Sequence, residues 1–244
     1  EILVGTKPGQ GIIDSLKSCQ RICHFNKAFC IGTKSAFHRA ATALIAKLDN
    51  SYQFYLPTYI LPEQLEEFKE EATSAPLWIQ KPVGRSHSRG IKLLKEAPET
   101  FPEGSRVVVQ KYAPYPLLID GKKFDIRVYV ALISADPLMI YLYNEGFIRI
   151  AKAPFDENSM NMDCHLTTGE DCTVENLERL WPLLESSKLD PMVIKQRMED
   201  VITGIIAVNR ENFLHQKNPK VSFQLYGFDF IVTLDGNIFF FEAN

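Results

Sequence analysis

Apolar positions along the chain recur with two periods, and the change from one to the other organises it. From Lys34 to Leu48, the residues Phe37, Ala41, Leu44, Ile45 and Leu48 fall on one face of a helix that Ser35 is placed to cap. Pro57 and Pro62 bracket an extended piece, Thr58 to Leu61. Pro62 then starts a polar helix, Glu63 to Ala72, with Leu65 and Phe68 as its apolar contacts. Leu77 to Gln80 reads as a short buried strand, Val83 to Gly90 as a loop, Ile91 to Leu94 as a resumed apolar run, and Arg106 to Tyr112 as a strong strand. From Phe124 to Ala151 the period is two. Ile126 to Ile133, Met139 to Tyr143 and Phe147 to Ile150 predict strands, with turns at Asp136-Pro137 and Asn144-Glu145-Gly146. Asp190-Pro191 predicts an N-cap and first-turn proline for a helix running toward Leu214. Its Val193, Ile194, Met198, Val201, Ile202, Ile205 and Val208 make a wide apolar stripe, which is core. Gln224 to Leu234 and Asn237 to Glu242 predict a hairpin about the two-residue turn Asp235-Gly236. Residues 1–30 are poorly patterned, apart from a strand-like Ile22 to Phe25. The order is α+β, with a boundary between Ala113 and Pro116.

Composition narrows the class. The chain has 244 residues, 45% of them hydrophobic and 23% charged, enough apolar material for a core and unlike a disordered or disulfide-stapled chain. A formal net charge of −3 gives no global pull toward nucleic acid or an anionic membrane, and neither is expected as a partner. No apolar run reaches the roughly 18 residues that span a bilayer, and no signal peptide opens the chain. Five cysteines without a secretory signal read as reduced thiols of a cytosolic protein. Cys19, Cys23 and His24 lack zinc-ligand spacing. The opening at Glu1 and the stop just after Ile238-Phe239-Phe240-Phe241 read as the ends of a fragment.

The final hairpin carries the most specific chemistry. With a turn at Asp235-Gly236, Asp229 faces Glu242 among Phe228, Phe230, Phe239, Phe240 and Phe241. Like charges opposed on a sheet are destabilising, and a hard divalent cation relieves the conflict. Asn244, two residues beyond Glu242, adds a carbonyl oxygen on the same face. Three oxygen ligands with room left over suit Mg²⁺, which keeps waters and binds substrate phosphates. A solvent-facing carboxylate pair is the alternative.

Two further groupings are basic. Lys81, Arg85, Arg89, Lys92 and Lys95 lie in a segment without acids, where Gly84 and Gly90 flank a Ser-rich loop able to fold over phosphates. The spacing is neither that of a Walker A loop nor that of a dinucleotide fingerprint, and a plain solvated loop is the alternative. On the strand through Phe124, the residues Lys123, Asp125 and Arg127 share one face and Phe124 and Ile126 the other. That row serves either as an ion ladder or as a set of contacts to phosphate, metal and carboxylate. Arg149, a cation within the apolar run Phe147 to Ile150, needs an anion from the protein or from a substrate.

Several strings together resemble the tubulin tyrosine ligase-like family. They are KPVGRSHSRGI (Lys81 to Ile91), VVQKY (Val108 to Tyr112), PLLIDGKKFDIRVYV (Pro116 to Val130), DPLMIYLYNEGFIRIA (Asp136 to Ala151), HLTT (His165 to Thr168), YGFDF (Tyr226 to Phe230) and FEAN (Phe241 to Asn244). They run in family order over residues 30 to 244. The resemblance implies an ATP-grasp fold, in which two α+β lobes hold ATP between them. Residues 1–30 would be a remnant of an N-terminal region, 31–113 the central lobe and 114–244 a truncated C-terminal lobe.

Carried over by position, the resemblance makes Lys34 and Lys81 lysines of the nucleotide phosphates, and places Arg89 and Gly90 in the loop that covers them. Gln110, Lys111, Tyr112 and Ala113 would form the hinge at the adenine. Lys123 and Asp125 would line the nucleotide site, with Thr167 and Thr168 near the phosphates. Arg149 resembles the arginine that binds the carboxylate of the incoming amino acid, and Arg127 and His87 are further candidate substrate contacts. Asp229, Glu242 and Asn244 match the family's Mg²⁺ ligands. Lys81, Arg89, Lys123 and Arg149 are thereby the candidate catalytic groups. Three positions depart from the family: His87-Ser88 for Gln or Arg followed by Gly, Thr168 for the Asn of HLTN, and Ala243 for the Val of EVN. No essential charge is missing.

The implied activity is ATP-dependent ligation of an amino acid to a protein carboxylate through an acyl phosphate. The implied acceptor is the acidic tail of tubulin, on microtubules of the cytoplasm, cilia or basal bodies. The stretch Asp136 to Ala151 favours the glutamylating branch and free L-glutamate, with glycine or tyrosine as alternatives. An inactive tubulin-binding member and a ligase of small peptides are the competing readings.

Overall fold

The computed structural model describes residues 2–3, 11, 15–17, 19–25, 27–48, 53–84, 89–99, 104–169, 171–214 and 222–244. Glu1, Arg85, His87 and Ser88, all named above, lie outside the described residues. The first strands are β1 (Ile2–Leu3), β2 (Arg21–Cys23), β3 (Thr58–Leu61), β4 (Trp78–Pro82), β5 (Lys92–Leu94) and β6 (Val107–Lys111). After them come β7 (Leu118–Ile119), β8 (Lys122–Ala135), β9 (Leu138–Ile150), β10 (Thr173–Asn176), β11 (Ser222–Val232) and β12 (Ile238–Ala243). They form two sheets. The smaller has the order β3-β6-β4-β5, and the larger runs β1-β2-β11-β8-β9-β10, with β12 paired to β11 and β7 to β8.

Each sheet has its own apolar packing. In the small sheet, Trp78 is fully buried against Phe68 of helix Leu65–Glu71, edge to face at 5.0 Å, and its indole N–H donates to the Ala72 carbonyl at 2.9 Å. In the large sheet, Phe124, Ile126, Val128, Val130 and Leu132 of β8 and Tyr226, Phe228 and Phe230 of β11 turn inward. Helices Lys34–Ile45 and Pro191–Val208 are among those that cover them. In Lys34–Ile45 the capping oxygen belongs to Thr33, which accepts from the Ala36 N–H at 3.3 Å; Ser35, expected in that role, is buried within the first turn. Helix Pro191–Val208 is capped by Asp190 as expected, with Met192 N–H donating at 2.8 Å. It stops at Asn209, whose side chain donates back to the Ile205 carbonyl, and a separate helix, Arg210–Leu214, follows. The predicted continuous run to Leu214 is therefore broken by a local side-chain bond that competes with the helix ladder.

Two turn assignments differ from the sequence reading. Asn144-Glu145-Gly146 is no turn: β9 runs through it, and the pairing with β8 slips between Val128 and Val130. Here the glycine serves close approach, since a Cβ on Gly146 would overlap the Arg127 carbonyl oxygen. In the final hairpin, Thr233 N–H donates to the Asn237 carbonyl, so three residues, Leu234 to Gly236, form the turn. Gly236 has φ +76°, the left-handed conformation such a loop requires. Val232 then pairs with Ile238 and Phe230 with Phe240. A bulge follows, after which Asp229 faces Glu242 and Phe228 faces Ala243. The expected opposition of Asp229 and Glu242 holds, reached through a longer turn and a compensating bulge.

Candidate active site

Between the sheets lies a cleft of about 350 Å³. The two-residue period of β8 sends Phe124 and Ile126 to the core and Lys123, Asp125 and Arg127 into the cleft. Register does the rest. Asp125 pairs with Arg149 of β9, and Arg127 pairs with Asp229 of β11. Four charges from three strands thus meet on one face. Arg149 Nε donates to Asp125 Oδ1 at 2.6 Å and its Nη2 lies 3.0 Å from Asp229 Oδ2. Arg127 grips Asp229 with two nitrogens, Nη2 to Oδ2 at 2.7 Å. Thr167 donates its hydroxyl to Asp125, and Asn244 Nδ2 reaches Asp229 Oδ2 at 3.3 Å. Burial works against the Arg149 guanidinium, but Asp125 and Asp229 outweigh it and raise its pKa. For Arg127 too, Asp229 overcomes burial and raises the pKa.

The lysines are held differently. Lys81 Nζ donates to Gln110 Oε1 at 2.9 Å, Gln110 Nε2 donates to Thr58 Oγ1 at 3.0 Å, and Thr58 donates to the Leu56 carbonyl at 2.7 Å. This relay crosses the small sheet through β4, β6 and β3. Lys81 also sits 5.1 Å above the Phe241 ring. Burial pushes its ammonium down to about 8; Glu242 opposes that shift, and Lys34 and Lys123 add to it. Lys123 donates to the His165 carbonyl at 3.0 Å, and burial likewise lowers it to about 8 against the pull of Asp125. Lys34, at the start of its helix, lies 3.3 Å from Glu242 Oε1.

The cleft gathers nearly every residue nominated from sequence. Lys34, Lys81, Arg89, Gln110, Lys111, Tyr112, Ala113, Lys123, Asp125, Arg127, Arg149, Thr167, Thr168, Asp229, Glu242 and Asn244 all line it. Gly90 is adjacent to Arg89 with φ +76° but does not line it. The carboxylates face each other as expected, yet in this structure their partners are cations: Arg127 and Arg149 for Asp229, Lys34 for Glu242. Among the described residues no three His, Cys, Asp or Glu side chains are grouped to hold a metal ion. The nominated trio offers two carboxylates and a carboxamide instead.

Two parts of the cleft were not read from sequence. One is an apolar wall, Leu56, Ala113, Ile231 and Phe239, packed as a small cluster of its own. The bulge puts Phe239 on this side, which a regular hairpin would not do. The other is His165, 1% exposed, whose ring meets Tyr112 and Ser159. It stood inside a recognised string without a role.

A mixed α+β chain whose large sheet faces a smaller one across a polar cleft has the ATP-grasp-like fold. The sequence model of the tubulin-tyrosine ligase family matches residues 13–244, and the chain belongs to that family. Tubulin monoglutamylase TTLL4 of Mus musculus is 27% identical over 253 residues, 92% of this chain and 21% of that protein. Tubulin polyglutamylase TTLL5 of Homo sapiens is 28% identical over 267 residues, 96% of this chain and 20% of its own length. A probable beta-tubulin polyglutamylase of Tetrahymena thermophila is 35% identical over 156 residues, covering 61% of this chain and 13% of that protein. The chain thus spans about a fifth of the length of the first two of these curated relatives. Among the described residues no helix is long and apolar enough to cross a membrane.

Proposed function

We propose that the chain is the ATP-binding core of a ligase that joins L-glutamate to a carboxylate in the acidic tail of tubulin. The observation that carries this reading is the charge of the cleft. Among the described residues, seven lysines and arginines line it against three acidic side chains, an excess suited to a triphosphate and two carboxylate substrates. Membership of the family supports the ligase class, and the printed names of the relatives support glutamate and tubulin.

In this reading, residues 31–113 and 114–244 are the two lobes that hold ATP between them, and 1–30 belongs to a preceding region. Gln110 to Ala113 meet the adenine. Lys34, Lys81, Lys123, Arg89 with Gly90, Asp125, Thr167 and Thr168 attend the phosphates, and Arg149, Arg127 and His87 the substrates. Asp229, Glu242 and Asn244 present hard oxygen donors on one face, which fits Mg²⁺, and they would hold it once Asp229 exchanges its arginine partners. The ion would supply charge compensation to the phosphates. Release of Arg149 from Asp229 then leaves a guanidinium able to grip the amino acid's carboxylate in two-point fashion. Transfer of the γ-phosphoryl group of ATP to the acceptor carboxylate breaks the bond from the γ-phosphorus to the bridging oxygen, releases ADP and gives an acyl phosphate. The α-amine attacks its carbonyl carbon, the C–O bond to phosphate breaks, and the amine proton leaves to solvent. Lys81 and Lys123, preset in a buried site, stabilise the charge that moves during transfer.

The test is ATP-dependent incorporation of labelled glutamate, glycine or tyrosine into tubulin, with Lys81→Ala and Glu242→Gln as controls. Glutamate alone should be incorporated, and both variants should lose incorporation. Labelling that survives both substitutions, or that needs no ATP, overturns the assignment.

A further inference from the structure

We propose that His165 is a positioning residue that fixes Lys123 relative to Tyr112, and so sets the spacing of the two sheets across the nucleotide cleft; this rests on the ATP-binding reading above. The ring's tautomer follows from its partners. Nε2 lies 2.9 Å from the Ser159 carbonyl oxygen, which can only accept, so Nε2 carries a proton. In the neutral ring Nδ1 is then bare and accepts the Tyr112 hydroxyl at 2.8 Å. Burial lowers the imidazole pKa, with Lys123 adding to the effect, which agrees with a neutral ring.

One residue therefore ties together two elements that share no strand pairing. Tyr112 directly follows β6 of the small sheet, and its own N–H is fixed to the Leu77 carbonyl at 3.1 Å. Lys123 stands on β8 of the large sheet and donates to the backbone carbonyl of the same His165 at 3.0 Å. The Lys123 ammonium also lies 5.5 Å over the Tyr112 ring. Phe155 and Tyr112 meet the imidazole edge to face at 5.7 and 5.3 Å, so the ring has little room to turn. Its two ring bonds anchor the residue whose backbone carbonyl holds Lys123. His165 touches no reacting atom in this scheme; it acts through Lys123 and Tyr112.

The test is calorimetric binding of a non-hydrolysable ATP analogue with Mg²⁺ to the 244-residue chain, in a cycle of His165→Ala with Lys123→Ala. His165→Ala should weaken binding about tenfold in the parent chain, one charge-assisted hydrogen bond's worth, and less than about twofold when Lys123 is already absent. His165→Asn, whose amide oxygen takes the place of Nδ1, should recover binding to within about threefold, whereas His165→Leu should not. Equal weakening by His165→Ala in both backgrounds, or failure of Asn to restore more than Leu, overturns the positioning role while leaving the nucleotide site intact. Absence of analogue binding by the parent chain overturns the ATP-binding reading and this inference with it.

Discussion

Replacing Gly227 by alanine tests the charge cluster without deleting any charge. Gly227 lies beneath the Arg127 side chain. A Cβ there would stand 2.9 Å from Arg127 Cδ, 3.0 Å from Nη1 and 3.1 Å from Nε. Carbon contacts settle near about 3.5 to 4 Å, so the arginine must rise by roughly 0.6 to 1 Å. The Nη2 to Asp229 bond, now 2.7 Å, would then stretch beyond hydrogen-bond range. Asp229 keeps Arg149 at 3.0 Å, so its carboxylate is not left bare. Loss of one charge-assisted grip on a buried carboxylate costs about 1.5 to 3 kcal/mol. The alanine returns about 0.4 to 1 kcal/mol by restricting the unfolded chain. The net expectation is a loss of about 1 to 2 kcal/mol in urea denaturation. In an Arg127→Ala background the three atoms nearest that Cβ are gone, and the same substitution should be neutral or stabilising. If Gly227→Ala costs the same in both backgrounds, the strand rather than the arginine requires the glycine, and the reasoning fails.

Two more expectations follow from the same geometry. Gly146→Ala forces a methyl onto the Arg127 carbonyl and should separate β8 from β9, costing more than about 3 kcal/mol; a melting temperature within a degree or so of the parent would refute the close approach. The second concerns pH. The ammonium groups of Lys81 and Lys123 are lost as pH rises through about 8, while phosphate favours their charged forms, so nucleotide affinity should fall about tenfold per lysine between about pH 7 and 9. Stability of the free chain should move the other way, because between about 8 and the unfolded value of 10.5 the folded state binds fewer protons than the unfolded one. Isothermal titration and urea midpoints across this range check both signs, and a flat affinity profile refutes the first.

How far the fold was legible depended on whether a signal was local. The alternation along β8 was, and it separated Lys123, Asp125 and Arg127 from Phe124 and Ile126 correctly. Asp190-Pro191 marked a helix start because capping uses adjacent residues. Asn144-Glu145-Gly146 has the composition of a turn, yet what that glycine accommodates is a backbone oxygen on another strand, which no local pattern announces. The conflict between Asp229 and Glu242 was legible, but the partners found for them were not. Arg127 and Arg149 reach Asp229 only through the registers of β8 with β9 and with β11. His165 escaped notice for a related reason, since its partners Tyr112, Lys123 and Ser159 are brought together by three separate segments.

The hairpin that ends in Asn244 has a consequence for which changes of length the chain tolerates. Its turn is one residue longer than the shortest hairpin loop, and its bulge adds one residue on the opposite side of the ledger. The two offsets cancel, so Ile238 and Phe240 stay in the core while Glu242 and Asn244 return to the cleft. Removing Phe241 alone would take out the bulge: Glu242 would then follow Phe240 directly, still opposite Asp229, and the ring beneath Lys81 would be lost. Shortening the turn by one residue would likewise leave Asn237 opposite Thr233, across a two-residue loop. The hairpin therefore tolerates loss of either extra residue, whereas relatives that keep the same spacing between the two acids are expected to carry both irregularities or neither.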